Sequence, residues 1–148
     1  MSKQLLRRVV NWEYIWLCLL VLATLAMHFS IITHPAEPIF DEQHYVTDAR
    51  SILGGHGSLR SEHPPLGKLL ITSGIFLFGD NPFGWRFFSV IFGTICIILF
   101  YLICRQLMMP KIASSLATFL LALDNLSFVQ ASVAMLDVFN LAFMLGAF

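Results

Sequence analysis

Charge is what this chain has least of. Of its 148 residues only 12% are charged, nine basic against nine acidic, so the formal net charge is zero. A soluble globular domain carries roughly 25%. No basic stripe is present, which argues against a nucleic-acid partner gripped through its phosphates. Cysteine is equally sparse: Cys18, Cys96 and Cys104 lie in or at the end of apolar runs, with neither CxxC nor metal-ligand spacing. That excludes a disulfide framework and a zinc site as organising features. No alternating strand pattern competes with long apolar runs.

What the chain has in excess is apolar surface. It is 57% hydrophobic, with a mean hydropathy of +0.77, the composition of a membrane protein. From Tyr14 to Thr33 no residue is formally charged, and a helix of about twenty residues at about 1.5 Å each crosses the roughly 30 Å hydrocarbon core. Residues 14–33 are therefore expected to form a first transmembrane helix. A signal peptide is the competing reading, because Lys3, Arg7 and Arg8 precede the run. The run is longer than a usual apolar signal core, and no A-x-A cleavage site follows.

A second span is expected over residues 87–104, bracketed by Arg86 and Arg105. A third, over 112–130, begins after Lys111 and meets Asp124 about a dozen residues on, short for a full crossing, then continues through "NLSFVQ". A fourth, over 133–148, starts around Asp137 and breaks off in "LAFMLGAF"; the chain is expected to be the N-terminal part of a longer protein. Lys and Arg placement puts residues 1–13 and the 105–111 turn in the cytoplasm. The loop over residues 34–86, and the turn from Asp124 to Asp137, then face the opposite compartment. The expected fold is one all-α, polytopic membrane domain over 1–148, in the plasma membrane of a prokaryote or the endoplasmic reticulum of a eukaryote.

The long loop has structure of its own. "DEQHYVTDARSIL" sets Asp41, Tyr45 and Asp48 near one helical face, and "LGKLLITSGIFLFG" is apolar but short for a span. Both suit helices lying along a membrane surface, with "GGHG" and "HPP" as the turns between them.

Acids and cations collect on this side. Asp41 and Glu42 stand immediately before a helix laid against the bilayer, where desolvation raises a carboxylate's basicity and suits it to act as a general base; equally, Asp41 is a good N-cap. Asp137 opens an apolar helix on the same side, as a partner acid or as another cap. Arg86 and Lys68 supply cations fit for a phosphate, or for anchoring to lipid headgroups. His44 and His63 either order the loop or join the acids around a divalent metal, although no DxD or HxxxH spacing enforces a metal site.

In their order these blocks resemble the protein O-mannosyltransferase family, membrane glycosyltransferases of the C-type fold that use a polyprenyl-phosphate sugar donor. "FDEQHY" is similar to that family's Asp-Glu motif, "EHPPLGKLL" to its His-Pro-Pro segment, "LALDNLSFVQASVAMLDVF" to its third-to-fourth helix turn, and "GDNPFGWRFFSVIFG" to the second helix of bacterial members. The likeness runs from Phe40 to Phe148. It implies transfer of a sugar, mannose by the family's habit, to a Ser/Thr hydroxyl of a protein with inversion. Asp41 would be the catalytic acid with Glu42 beside it, Arg86 and Lys68 would attend the donor phosphate, and Asp137 would be a second acidic position. No cofactor is required by this scheme. The remaining helices of the family are missing, so the piece alone is expected to be inactive. Rival readings are a transferase of the same fold acting on a lipid or polysaccharide with another sugar, and a transporter or structural subunit. The transporter reading predicts acids within the apolar spans, whereas most here lie in the loop or at helix ends.

Overall fold

The computed structural model describes residues 12–60 and 62–148. Lys3, Arg7 and Arg8, on which the expected orientation rests, lie outside the described residues. Among the described residues seven helices follow one another: α1 (Trp12–Ile31), α2 (Glu42–Leu53), α3 (Pro65–Phe78), α4 (Pro82–Gln106), α5 (Lys111–Leu123), α6 (Asn125–Ser132) and α7 (Asp137–Gly146). Among the described residues there is no strand, and the fold is all-α as expected.

Two helices, α1 with 20 residues and α4 with 25, are long and apolar enough to cross a membrane. The second starts earlier than its apolar run suggests. Asn81 caps it by accepting the Gly84 N–H at 3.1 Å, and Pro82 occupies the first turn, where its missing N–H costs nothing. Arg86 therefore sits inside the helix rather than at its border. The expected third span is two helices, α5 and α6, bent by 59°. The break falls at Asp124, whose extended backbone ends α5 while its carboxylate caps α6 by accepting the Ser127 N–H at 2.8 Å. Shorter still is α7, which begins at Asp137 itself.

At the centre stands α4: α1, α3, α5, α6 and α7 all pack on it, and α2 lies against α3. Val46 and Ala49 of α2, Ile71 of α3, Trp85 of α4 and Phe139 of α7 share one core. Between apolar helices in a bilayer, close backbone approach matters more than the hydrophobic effect, and glycine supplies it here. A Cβ on Gly74 would lie 2.2 Å from the Gly84 carbonyl oxygen, and one on Gly93 would lie 2.4 Å from the Ala131 Cβ. These two contacts fix α3 and α6 against α4, and with them the loop helices and the α6–α7 turn.

Candidate active site

The segment between α1 and α2 is drawn together by one arginine. Arg86, fully buried on α4, donates from Nη1 to the carbonyls of Ile32 at 3.0 Å and Pro35 at 2.9 Å. Its Nη2 reaches the Glu37 carbonyl at 3.4 Å. On the other side Nε and Nη2 donate in parallel to Glu42 Oε1 and Oε2, both at 2.8 Å. This fork uses all five guanidinium donors. Glu42, also fully buried, accepts the Ala134 N–H at 2.9 Å and the Ile39 N–H at 3.1 Å with its remaining lone pairs. One ion pair thus joins α1, the loop, the start of α2, α4 and the α6–α7 turn.

In this geometry both residues are already committed to partners inside the protein. Glu42 has no free lone pair for an acceptor hydroxyl, and Arg86 has no free N–H for a phosphate. Lys68 is committed in the same way. Buried on α3, it gives its three ammonium donors to Asp48 Oδ2 at 2.6 Å, Ser58 Oγ at 2.8 Å and the Arg60 carbonyl. Ser58 Oγ also donates to Asp48 Oδ2 at 3.0 Å. Burial pushes the Asp48 carboxyl up, but the hydrogen bonds from Lys68 and Ser58 and the charges of Lys68 and Arg60 outweigh it and hold it below the ordinary carboxylate range. A third tie fastens the far end of α2: Arg50 grips Asp80 through Nε at 2.8 Å and Nη2 at 3.0 Å, and Trp85 Nε1 donates to the same carboxylate at 2.7 Å.

Apart from Asp48 Oδ1, which has no hydrogen-bond partner, the charged groups above are paired, and against them Asp41 and Asp137 are set at the starts of two helices. Asp41 occupies the N-cap position of α2 with helical dihedrals, φ −71° and ψ −12°, and its side chain makes no capping bond. Asp137, in the first turn of α7, is likewise exposed. Among the described residues neither carboxylate has a hydrogen-bond partner. Both lie near enough to the Tyr45 phenol for their charges to act on it; burial first, then Asp41 and Asp137, raise the Tyr45 pKa above its ordinary value. Tyr45 is therefore held further toward the neutral hydroxyl. The exposed His63 ring stands edge-on to the Tyr45 ring, with centroids 5.5 Å apart.

The approach to Asp41 is strained. Phe40 has φ +50°, a left-handed conformation that an aromatic residue rarely adopts. The Glu42 bonds to Ile39 and Arg86 impose it, the over-determination that such strain requires at a functional turn. Asp41 is held out at the lip while its neighbour is locked inside.

Below Asp137 a cavity of about 250 Å³ opens between α1, α4, α6 and α7, with His28, Cys96, Phe128, Gln130 and Asp137 in its wall. His28 Nδ1 lies 3.0 Å from Ser132 Oγ, and its ring stacks on Phe128 at 4.3 Å. The Gln130 Oε1 is buried there without a partner. The fold thus brings Asp41, Asp137 and His63 around Tyr45, leaves His44 exposed on α2, and turns Glu42, Arg86 and Lys68 inward as supports. Among the described residues no three His, Cys, Asp or Glu side chains converge as a metal set. Tyr45 and Asp48 emerge as parts of the site and its support. Their shared helical face with Asp41 was the signal for both.

Known proteins are similar to this chain in sequence. The chain is 37% identical over 136 residues to a polyprenol-phosphate-mannose-protein mannosyltransferase of Mycobacterium tuberculosis, covering 88% of this chain and 26% of that protein. The protein of that name in Mycolicibacterium smegmatis is 38% identical over 122 residues, with 78% and 24% covered. Its counterpart in Corynebacterium glutamicum is 32% identical over 148 residues, with 90% and 28% covered. The chain thus spans about a quarter of the length of these relatives. No solved structure matches it. The dolichyl-phosphate-mannose-protein mannosyltransferase family matches residues 17–148, nearly the whole chain, and to that family this chain belongs.

Proposed function

We propose that this chain supplies the acidic part of the active site of a membrane glycosyltransferase, one that moves mannose from a polyprenyl-phosphate donor to a Ser or Thr hydroxyl of a protein. The observation that carries the proposal is Asp41: an unpaired carboxylate at a strained turn, held in place by the buried Glu42–Arg86 pair. Family membership supports the donor class. The names of the relatives support mannose and a protein acceptor.

In the step we infer, the acceptor oxygen attacks the anomeric carbon while Asp41 takes its proton. The bond from that carbon to the phosphate oxygen breaks, and polyprenyl phosphate leaves with the electron pair. Displacement at the opposite face inverts the carbon and needs no covalent enzyme intermediate. The Tyr45 hydroxyl donates toward Asp41 or Asp137 and orients them, and Asp137 accepts from sugar or acceptor hydroxyls. Arg86 and Lys68 act through position, because their donors are already used. The apolar faces of the first helices would cradle the isoprenoid tail, whose burial asks for area more than for particular side chains. With the Trp12 end of α1 in the cytoplasm, the site faces the opposite compartment, at the depth of the lipid headgroups.

The test uses membranes containing the protein that carries this chain, radiolabelled polyprenyl-phosphate mannose and a Ser/Thr peptide. Asp41→Asn is expected to cut transfer by about 10²–10⁴-fold, the usual worth of a general base, while donor binding persists. Near-normal transfer by the variant would remove Asp41 from the chemistry. Transfer by the wild type from another sugar donor, but not from a mannosyl one, would change the substrate and leave the mechanism standing.

A further inference from the structure

At the opposite end of α1 and α4 from Asp41 lies a second ionic cluster, which the proposed transfer does not use. Glu13 of α1 accepts from the Tyr101 hydroxyl of α4, from Arg105 Nε at 2.9 Å and from Lys111 Nζ at 2.7 Å. One negative charge meets two positive ones, so the cluster keeps a net charge of +1. The excess charge faces outward: the Lys111 side chain is 59% exposed, and Glu13 engages only one of an ammonium's three donors.

Beside this charge runs an open groove of about 580 Å³ between α1 and α5. Trp12 and Trp16 form one wall, spaced i, i+4 on α1, and Ile112, Leu116 and Phe119 descend along α5. From Lys111 to Phe119 the groove follows the helix for about 12 Å at about 1.5 Å per residue. Trp12 is 79% exposed and Ile112 83%. A cation at the mouth, tryptophans beside it and an apolar track running parallel to the helices match the polarity profile of one lipid molecule, from phosphate to acyl chain. Tryptophan favours headgroup depth, and basic pockets between membrane helices suit anionic headgroups.

We propose that the groove between α1 and α5 binds an anionic glycerophospholipid, its phosphate at Lys111 and one acyl chain along Trp16, Leu116 and Phe119. Charge complementarity favours this occupant over a zwitterionic lipid, and the exposed cation above an apolar track favours it over an apolar helix.

The chain has three tryptophans. Two line the groove, and the third, Trp85, is buried near the other end, bonded to Asp80. The groove's signal is therefore taken as the difference in tryptophan fluorescence between the protein that carries this chain and its Trp12→Phe/Trp16→Phe variant, read in nanodiscs of phosphatidylcholine doped with brominated phosphatidylglycerol, or with brominated phosphatidylcholine at equal fraction. Brominated phosphatidylglycerol is expected to quench at several-fold lower mole fraction. Lys111→Gln, which leaves Tyr101 and Arg105 on Glu13, is expected to reduce that preference about five-fold, the worth of one basic residue at an anionic surface; Lys111→Arg is expected to keep it. Equal quenching by the two lipids, or an unchanged preference in Lys111→Gln, overturns the proposal. Absence of quenching by either lipid also overturns it, in favour of a protein segment covering the groove.

Discussion

Glu42 and Glu13 stand at opposite ends of the same pair of membrane helices, each holding an arginine of α4, yet their surroundings differ. The Glu42 and Arg86 side chains are both 0% exposed, and every donor and acceptor between them is used inside the protein. Around Glu13, Arg105 is 31% exposed and Lys111 59%. A charge taken fully out of water must have its field answered completely, which forces a rigid, closed set of bonds. A half-solvated cluster tolerates an unanswered cation. The closed cluster can hold a neighbouring group such as Asp41 in a strained position, and the open one can present charge to a ligand. The difference lies in burial, since the residue types are nearly the same.

The comparison breaks most severely if the closed pair is opened. Arg86→Leu strands the Glu42 carboxylate and leaves the carbonyls of Ile32 and Pro35 without their donor. Removing one partner of a buried pair costs about 3–5 kcal/mol. A loss of that size is expected in thermal unfolding of the detergent-solubilised protein, together with loss of transfer, because the turn that holds Asp41 relaxes. Arg86→Lys is expected to recover little, since one ammonium cannot reproduce the fork. A loss under about 1 kcal/mol would mean that water reaches the pair.

The next effect separates neighbours. Asp41 makes no capping bond and is exposed, so Asp41→Asn is expected to leave stability within about 0.5 kcal/mol of wild type while transfer falls as described above. A matching fall in stability would make Asp41 a second structural acid and merge the two roles that the fold keeps apart.

A smaller effect is a pH slope. The folded state holds the Asp48 carboxyl below its ordinary value, and Asp80 likewise, through Arg50 first and Trp85 as well. A lowered pKa means that the unfolded chain binds the proton first. The stabilisation is therefore complete above the ordinary carboxylate value near about 4 and is lost as pH falls through the lower folded values. Unfolding temperature is expected to drop as pH falls below about 4. Asp48→Asn lowers stability at neutral pH by unpairing Lys68 and flattens this slope; an unchanged slope would remove Asp48 as its source.

Much of this was legible in the chain. Apolar run length alone gives α1, and "GGHG" and "HPP" mark the turns that bound α2 and α3. The acids at helix starts point to the Asp41 side, where the fold leaves Asp41 and Asp137 exposed. What the sequence does not disclose is which charges find partners. Arg86 looks like the border of a span because a charge inside an apolar helix is costly, and its compensation lies 44 positions away at Glu42. Asp41 and Glu42 are chemically alike, and only a helix register separates the one turned outward from the one turned in. Lys68 is read as a free cation until the fold places Asp48 beside it. The break at Asp124 is hidden because a short polar residue within an apolar run reads equally as a tolerated interruption or as a cap.

The smallest effect tests the open cluster directly. Glu13→Gln keeps a carbonyl oxygen where Tyr101 and Arg105 donate, while removing the charge that faces Lys111. The Glu13 side chain is itself only 8% exposed, but its cations are 31% and 59% exposed and can turn to water when its charge is removed, so the stability loss is expected to be smaller than that of Arg86→Leu. The same substitution raises the cluster from one net positive charge to two, and the preference for brominated phosphatidylglycerol is expected to increase rather than fall. A stability loss as large as that of Arg86→Leu would show Glu13 to be as tightly sealed as Glu42. Little stability change with a stronger anionic preference would confirm that this end of the bundle is built to leave charge exposed.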